Sequence, residues 1–276
     1  MSVFSIGKDD KDNEDIPIAV VHGKGHQDGE FLLLSEENEN DVPISAPDGY
    51  KFAIEPTHKK DGRDVIMVGG KSGSGKSHIA RNFAIRYHAL HPDNEIFFIS
   101  YLEEDPTIDE ISKVMRRIKP TSFLDDEPSV HDFENSLVIV DDVEGYERTN
   151  KEVHNKIQSV IDMIATMGRH NGSSILVCSH LLTDYKRTRL FLGEANHFVV
   201  FAHGASQNQL YNLLCRYSGL DKGDVDSIRS LRSRWVCVRT IFPITVIHEN
   251  GAYILRPRVF DDRNDQYDNK FKKRKL

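Results

Sequence analysis

Residues 65–77 read VIMVGGKSGSGKS, and this stretch decides the fold. Its first four residues form a continuous apolar run with the length of a buried strand. The remainder contains the pattern G-x-x-x-x-G-K-S, whose backbone N–H groups can wrap around phosphate oxygens. Residues 78–90 follow with apolar side chains at helical spacing. A strand, a glycine-rich loop and a helix in this order predict a phosphate-binding loop.

The residues of the loop are predicted to have different roles in binding a nucleoside triphosphate. Glycines let the backbone approach the phosphates closely, and the following helix adds its positive N-terminal end. Lys76 is expected to reach the β- and γ-phosphates, and the Ser77 hydroxyl to complete the shell of a Mg²⁺ ion. The predicted ATP-binding residues are Gly70, Lys71, Ser72, Gly73, Ser74, Gly75, Lys76 and Ser77.

A second apolar run ends in two carboxylates, since residues 137–142 read LVIVDD. Asp141, at the tip of the predicted strand, is expected to hold Mg²⁺ together with Ser77. Asp142 is expected to polarise the attacking water as a general base. ATP and Mg²⁺ are therefore the predicted cofactors, and an ATPase is the predicted enzyme.

Further candidates flank the strand predicted at residues 175–178. Ser179 and His180 follow it, where a polar side chain can contact the γ-phosphate or the attacking water. Arg169 precedes it, and an arginine at a subunit edge can complete a neighbour's site by stabilising the transferring phosphoryl group. Arg187 and Arg189 are alternatives for that role. A loop serine, a surface histidine and a surface ion pair are the structural alternatives.

Apolar runs alternate with helical segments along the middle of the chain, which predicts an α/β fold with a mostly parallel sheet covered on both faces. The strands fall at 65–68, 96–99, 137–140, 175–178 and 198–201, and the helices at 78–90, 108–118 and 151–167. If the strand at 96–99 lies between the phosphate-loop strand and the strand ending at Asp141, the order is that of the additional-strand (ASCE, RecA-like) P-loop NTPases.

The two ends of the chain differ from its middle in their sequence patterns. Helices are predicted at 207–217 and 221–231, followed by closely spaced antiparallel strands at 235–240, 244–248 and 252–255. The predicted organisation is an acidic N-terminal segment with short strands at 1–50, a P-loop ATPase domain at 51–260, and a basic flexible tail at 261–276.

Composition excludes several classes of protein. The 276 residues have a mean hydropathy of −0.48, and no apolar stretch approaches the length of a membrane span or follows a basic start. The 3 cysteines form no C-x-x-C pair, which favours a reducing compartment over a disulfide framework or a zinc site. Residues 181–276 carry 17 Lys and Arg against 10 Asp and Glu, which leaves room for an anionic partner.

The order of the motifs resembles one family. The segments GKSGSGKS, SLVIVDD and GRHNGSSILVCSH, followed by YKRTR, NHFVVF, YSGL and LRSRWV, resemble the FtsK/HerA superfamily of P-loop NTPases. More narrowly they resemble the genome-packaging ATPases of nucleocytoplasmic large DNA viruses, the poxvirus-type packaging family. The resemblance covers about residues 50–255, and the SRWV stretch is more specific than the Walker motifs.

This resemblance implies a homo-oligomeric ring, a hexamer or a pentamer, that hydrolyses ATP and drives double-stranded DNA into a viral capsid. It implies nucleotide and metal binding by Lys76 and Ser77, the metal-side acid at Asp141, the catalytic acid at Asp142 and the finger at Arg169. Asp142 departs from the Glu common in the superfamily. The implied partners include a capsid or portal-like membrane vertex protein, and the implied locations are the viral assembly site in the host cytoplasm and the virion.

Three other functions remain open on the residues alone. One is a different FtsK/HerA-like translocating or helicase-like ATPase. Another is a P-loop kinase of a small molecule, which needs an acceptor pocket and an arginine-rich lid. The third is a nucleotide-gated scaffold, against which the intact pair of Walker motifs counts.

Overall fold

The computed structural model describes residues 3–9, 14–35, 41–59, 62–180, 182 and 188–255. The strands are β1 (Phe4–Gly7), β2 (Ile16–His22), β3 (Phe31–Leu34), β4 (Ile44–Ser45), β5 (Lys51–Ile54), β6 (Val65–Gly69), β7 (Glu95–Ser100), β8 (Arg116–Ile118), β9 (Ser136–Asp141), β10 (Ser174–Ser179), β11 (His197–Val200), β12 (Val236–Arg239), β13 (Thr245–His248) and β14 (Gly251–Ile254). The α-helices are α1 (Lys76–Leu90), α2 (Pro106–Asp109), α3 (Gly145–Thr149), α4 (Lys151–Met167), α5 (Arg189–Glu194), α6 (Gln207–Tyr217) and α7 (Lys222–Ser230). Short 3₁₀ helices span Pro120–Leu124, Val130–Phe133 and Gly168–Asn171.

A ten-stranded sheet forms the centre, in the order β4-β14-β13-β12-β11-β6-β10-β9-β7-β8. The six strands from β11 to β8 are parallel to one another. The remaining four strands continue the sheet in antiparallel pairing beyond β11. The predicted α/β class, with antiparallel strands appended at the C-terminal end, is therefore confirmed.

The strand order is that of the additional-strand class, but a different strand occupies the intermediate position. β10 lies between β6 and β9 and pairs with both in parallel, whereas β7 lies beyond β9. The expectation that the strand at 96–99 separates the two motif strands is wrong. Chain order does not fix neighbours here, because the crossover through α1 passes over two strand positions before β7 joins the sheet.

The helix predicted at 108–118 is also wrong. Ile108, Ile111 and Met115 are buried, as the helical spacing required. Only α2 is helical, however, and the chain turns and continues as β8 beside β7. The Arg117 guanidinium lies over the ring of Phe98 at 4.7 Å and donates to Asp109 Oδ1 at 2.5 Å. Strand pairing and these contacts prevail over the local helical preference.

Both faces of the parallel sheet are covered. In β9, Val138 and Val140 belong to the core beneath α4 to α7, while Leu137 and Ile139 belong to the core beneath α1 and the N-terminal strands. Alternate residues therefore bury on opposite faces, and this is why the strand is apolar throughout.

A second, antiparallel sheet of β1, β3, β2 and β5 packs on the α1 side. β5 follows residue 50 yet pairs with β2, and β4 precedes residue 50 yet pairs with β14. These pairings join the two segments, and the division into 1–50 and 51–260 stays a prediction. The predicted tail at 261–276 lies outside the described residues. Within the described ranges, none of the helices has the length and apolar character needed to cross a membrane.

Candidate nucleotide site

Three loops meet at one edge of the central sheet. They follow β6, β9 and β10, whose carboxyl ends lie side by side because the strands are parallel. The Gly70 N–H donates to the Ser179 carbonyl at 3.1 Å, which joins the first loop to the third. The structure thus brings together six of the predicted site residues: Lys76, Ser77, Asp141, Asp142, Ser179 and His180.

The phosphate loop needs glycine at several positions. Gly73 and Gly75 have φ values of 72° and 111°, in the left-handed region that other residues rarely adopt. A Cβ on Gly70 would lie 2.6 Å from Ser74 Oγ and 2.8 Å from the ring of Phe201. The loop leads directly into the 15-residue helix α1, whose first N–H groups have no intrahelical partner. The backbone N–H groups of the loop and the N-terminus of α1 therefore lie together, as phosphate binding requires.

Ser77 and Asp141 have the chemistry of a magnesium site. Ser77 Oγ donates to Asp141 Oδ2 at 2.9 Å. Asp141 is 1% exposed, and its Oδ1 is buried without a hydrogen-bond partner among the described residues. Burial, together with the nearby charge of Asp142, raises the pKa of Asp141 to about 6. A buried carboxylate with an open oxygen beside a hydroxyl fits a hard divalent cation, which prefers oxygen ligands.

His180 connects the phosphate lysine to the second acid. Lys76 Nζ lies 3.2 Å from His180 Nδ1, and His180 Nε2 lies 2.7 Å from Asp142 Oδ1. A lysine ammonium can only donate, so Nδ1 is the acceptor. The imidazole proton then resides on Nε2 and is donated to Asp142. The three side chains form a directed hydrogen-bond chain that ends at the predicted base.

The backbone at Asp142 explains how two consecutive acids reach one site. Successive side chains of a strand point to opposite faces, but Asp142 has a left-handed φ of 54°. Aspartate is among the few non-glycine residues that tolerate this region. The turn leaves Asp141 on Ser77 and directs Asp142 to His180. Backbone outliers of this kind concentrate at functional sites.

Glu144 is a site residue that the sequence analysis missed. Its Oε1 accepts hydrogen bonds from Ser179 Oγ at 2.8 Å and from the His180 N–H at 3.2 Å. Its Oε2 is buried and lacks a hydrogen-bond partner among the residues that are described. The available signal was a third carboxylate within four residues, in the segment DDVE. Asp142, Glu144 and His180 have ligand atoms within 4.8 Å of one another, a grouping that could also hold a cation.

Arg169 does not join this site within its own subunit. It is exposed in the 3₁₀ helix that precedes β10, so it lies at the opposite edge of the sheet from Ser179. The six residues of β10 separate the two edges by about 20 Å. Arg189 begins α5, and its neighbour Thr188 lines a small cavity with Glu144 and Ser179. Arg187 lies outside the described residues.

The phosphate loop, the buried carboxylate of Asp141 and the strand order define the class of the protein as a P-loop ATPase of the additional-strand type. Protein V3 of Sputnik virophage is 30% identical over 259 residues, which span 92% of this chain and all of V3. The chain therefore belongs to the same family as V3. No protein-family model matches the sequence.

Solved structures of several ATPases are similar to the chain. The genome packaging NTPase B204 of Sulfolobus turreted icosahedral virus 2, with bound ATP-gammaS, is 13% identical with a TM-score of 0.46, over 70% of this chain and 98% of B204. The pCW3 conjugation coupling protein TcpA is 15% identical with a TM-score of 0.49, over 94% of this chain and 82% of TcpA. The Thermomonospora curvata type VII secretion ATPase EccC is 13% identical with a TM-score of 0.49, over 91% of this chain and 30% of EccC.

Proposed function

We propose that the chain hydrolyses ATP and uses the free energy to drive double-stranded DNA into a viral capsid, as one subunit of a homo-oligomeric ring. The observation that carries the ATPase part is the contact between Ser77 and the buried Asp141, whose second oxygen is open, directly beside Lys76. The DNA part is supported by the resemblance of the motifs, including LRSRWV, to packaging ATPases, and by the family shared with a virophage protein.

The phosphate loop is proposed to bind the triphosphate through its backbone N–H groups and the Lys76 ammonium. Ser77 and Asp141 would hold the magnesium ion, which when bound neutralises charge on the phosphate oxygens. At neutral pH the Asp141 carboxyl, with its pKa near 6, is mostly ionised and ready for a cation. The phosphate loop and these two side chains together fix the position of the terminal phosphate.

Asp142 is the proposed base for the attacking water, with Ser179 and His180 beside the γ-phosphate. The His180 N–H donated to Asp142 holds the carboxylate in one orientation. A γ-phosphate on Lys76 would contact the same ammonium that donates to His180 Nδ1. The bound nucleotide and Asp142 would therefore be linked through Lys76 and His180. Glu144 fixes this segment by accepting from both Ser179 and the His180 backbone.

Arg169 is proposed to act on the site of a neighbouring subunit, because it lies at the opposite edge of the sheet from its own. A ring, hexameric or pentameric, would place each arginine against the next nucleotide and make hydrolysis dependent on assembly. Double-stranded DNA, a capsid or portal-like membrane vertex protein and further copies of the chain are the proposed partners. The proposed places of action are the assembly site in the host cytoplasm and the virion.

The test is the rate of phosphate release from ATP against added double-stranded DNA, with the oligomeric state measured by light scattering in the same buffer. We expect DNA to stimulate hydrolysis in an assembled ring, and the stimulation to weaken as salt rises. A confirmed ring whose hydrolysis is indifferent to DNA would contradict the translocase. Formation of ADP only with an acceptor molecule, and without release of free phosphate, would indicate a kinase. Strand displacement would indicate a helicase-like enzyme.

A further inference from the structure

The proposed ATP site fixes the direction in which the nucleotide lies. Lys76, Asp141 and His180 mark the terminal phosphate, on the flank of β6 that faces β10 and β9. The opposite flank faces β11, where the loop ends at Gly75 and α1 begins. A triphosphate that lies along the loop therefore directs its nucleoside toward β11 and the first turns of α1.

A cleft of about 360 Å³ opens at this flank, between α1 and strand β5 of the N-terminal sheet. Its walls include Ala53 of β5, Ile79 of α1 and the rings of Phe201 and Trp235. The volume falls within the range of small-molecule sites, about 300–1,000 Å³. Polar and charged side chains, among them Arg86 and Glu249, interrupt the apolar walls. The cleft is thus suited to a flat group with apolar faces and a polar edge, such as a nucleobase.

Phe201 and Arg234 connect the phosphate loop to the cleft. A Cβ on Gly75 would lie 3.6 Å from the ring of Phe201 and 3.7 Å from Arg234 Nη2, so both side chains stand close to the loop. The backbone N–H of Arg234 donates to Glu249 Oε2 at 2.8 Å, which fixes the residue. Its guanidinium has no carboxylate partner among the described residues. An available cation therefore lies between the loop and the cleft, where the α-phosphate of a nucleotide would pass.

His78 and Asn82 supply the polar edge of the cleft. They are one turn apart on α1, and Asn82 Nδ2 lies 3.2 Å from His78 Nε2. Asn82 retains its carbonyl oxygen and its second amide hydrogen for a ligand. An acceptor beside a donor complements the adenine edge, which offers an amino group next to a ring nitrogen. Desolvation, followed by the charges of Arg81 and Arg234, lowers the pKa of His78, so this imidazole is neutral at pH 7.

We infer that this cleft binds the adenosine of the nucleotide, with the base against Ile79 and Phe201, its edge on Asn82, and Arg234 on the α-phosphate. The inference rests on the proposed ATP site. A wider groove of about 570 Å³ lies on the other side of Arg234 and is lined by Arg232, His203 and Asn250. The cleft is favoured because it adjoins the start of α1 and has the polar edge described above.

The experiment compares equilibrium binding of magnesium–ATP with that of inorganic tripolyphosphate, which lacks a nucleoside. Wild-type protein is expected to bind ATP at least about tenfold more tightly than tripolyphosphate. Ala53→Phe fills the cleft without touching the phosphate loop, so it is expected to weaken ATP binding about tenfold and to leave tripolyphosphate within about twofold. Asn82→Phe, on the helical wall, carries the same expectation and replaces Ala53→Phe if that variant does not fold.

Arg234→Ala is expected to weaken ATP binding about fivefold to tenfold, and the matched variant Arg232→Ala, two residues away in the outer groove, to leave it unchanged. Folded Ala53→Phe and Asn82→Phe proteins that bind ATP like the wild type would overturn the inference. Because Arg234 lines both cavities whereas Arg232 lines only the groove, an effect of Arg232→Ala as large as that of Arg234→Ala would place the nucleoside in the groove instead. Wild-type protein that binds tripolyphosphate as tightly as ATP would contradict the nucleoside site alone, whereas binding of neither would contradict the proposed function as well.

Discussion

Two lysines of the phosphate loop have different surroundings. Lys71 is exposed, whereas Lys76 is buried at the start of α1 with its ammonium on His180. Lys76→Ala removes the cation that the γ-phosphate would contact, so we expect loss of ATP binding or hydrolysis. Lys71 is expected to serve the loop through its backbone N–H, which Lys71→Ala keeps while removing the same charge from an exposed side chain. This variant is therefore the matched control, measured by ATP titration and phosphate release. Equal losses in both variants would show that loop charge in general, and not the Lys76 position, matters.

Asp142 can be tested without changing its hydrogen bond. In Asp142→Asn the amide oxygen still accepts from His180 Nε2, but the side chain can no longer take a proton. We expect ATP to bind as in the wild type while hydrolysis slows by at least about tenfold, as for the loss of a general base. Single-turnover phosphate release measures the chemical step. An unchanged rate would move the base to another residue, and Glu144, with its open Oε2, is the next to test.

Asp64 is a buried acid far from the phosphate site, just before β6. Burial raises its pKa to about 6, despite the hydrogen bond from the Thr57 N–H and the charge of Arg239. His197 lies 3.8 Å away, but burial lowers the pKa of that imidazole to about 3, so it is neutral and does not compensate the carboxylate. Ionisation of Asp64 at neutral pH therefore lowers the free energy of unfolding.

The sign of the pH effect follows from these values. Because the pKa of Asp64 is higher in the folded chain than the ordinary 3.8, protonation stabilises the fold below pH 3.8, and this contribution is lost as the pH rises to 6. Asp64→Asn cannot ionise, so it is expected to gain up to about 3 kcal/mol over the wild type at pH 7, with the gain shrinking toward pH 4. Denaturant unfolding at several pH values measures this. Asp93→Asn, at an exposed turn, is the control, and a pH-independent difference for Asp64→Asn would contradict the mechanism.

At the scale of elements, α4 shows how one side chain sets a helix start. Asn150 Oδ1 accepts from the Val153 N–H at 3.2 Å and satisfies one of the first N–H groups of the helix. Asn150→Ala is expected to lower the free energy of unfolding by about 1 kcal/mol. Asn155→Ala, at an exposed interior position of the same helix, is expected to raise it slightly because alanine is the better helix former. A loss of equal size in both variants would exclude the capping explanation.

The elements that the sequence predicted correctly are those whose pattern of apolar residues fits one kind of structure. β9 is apolar throughout because each residue enters one of two cores, and α4 has one apolar face, so both patterns are unambiguous. The prediction of a helix at 108–118 was wrong because buried side chains at helical spacing also fit a short helix followed by a turn and an edge strand. Its conformation depends on β7, a partner that local spacing does not reveal.

The site was predictable where chemistry lies in consecutive residues. The phosphate loop and Asp141 follow from motifs whose spacing the mechanism requires. Glu144 offered only the third carboxylate of DDVE, because its contacts depend on the left-handed turn at Asp142. The adenosine cleft offered no motif, because it arises from the packing of β5 and Arg234 beside α1. Residues that are distant in sequence and meet only in the tertiary structure form no sequence motif from which the site could be predicted.

At the scale of the whole molecule, the parallel sheet separates the candidate nucleotide site from Arg169. The nucleotide site lies at the carboxyl ends of its strands, and Arg169 lies beyond the opposite ends, before β10. Arg63, at the same edge as Arg169, donates to the Ile164 and Ala165 carbonyls at the end of α4, which ties this edge to the helix. Arg169 therefore cannot reach the candidate nucleotide site of its own subunit while β10 is intact. Its proposed action on a nucleotide needs another copy of the chain.

A mixing experiment tests this geometry. Arg169→Ala subunits retain a complete nucleotide site but lack the finger, and Lys76→Ala subunits lack the nucleotide site but present an intact Arg169. Each variant alone is expected to lose at least about 10³-fold in hydrolysis, the lower range for such an arginine. Mixed rings would place an intact Arg169 against an intact phosphate loop, so phosphate release should recover in proportion to the fraction of such interfaces. Light scattering must show that the mixture forms the same assembly as the wild type. If mixing restores hydrolysis with Arg189→Ala but not with Arg169→Ala, the role belongs to Arg189. This residue begins α5 directly after Thr188, which shares a cavity with Glu144 and Ser179.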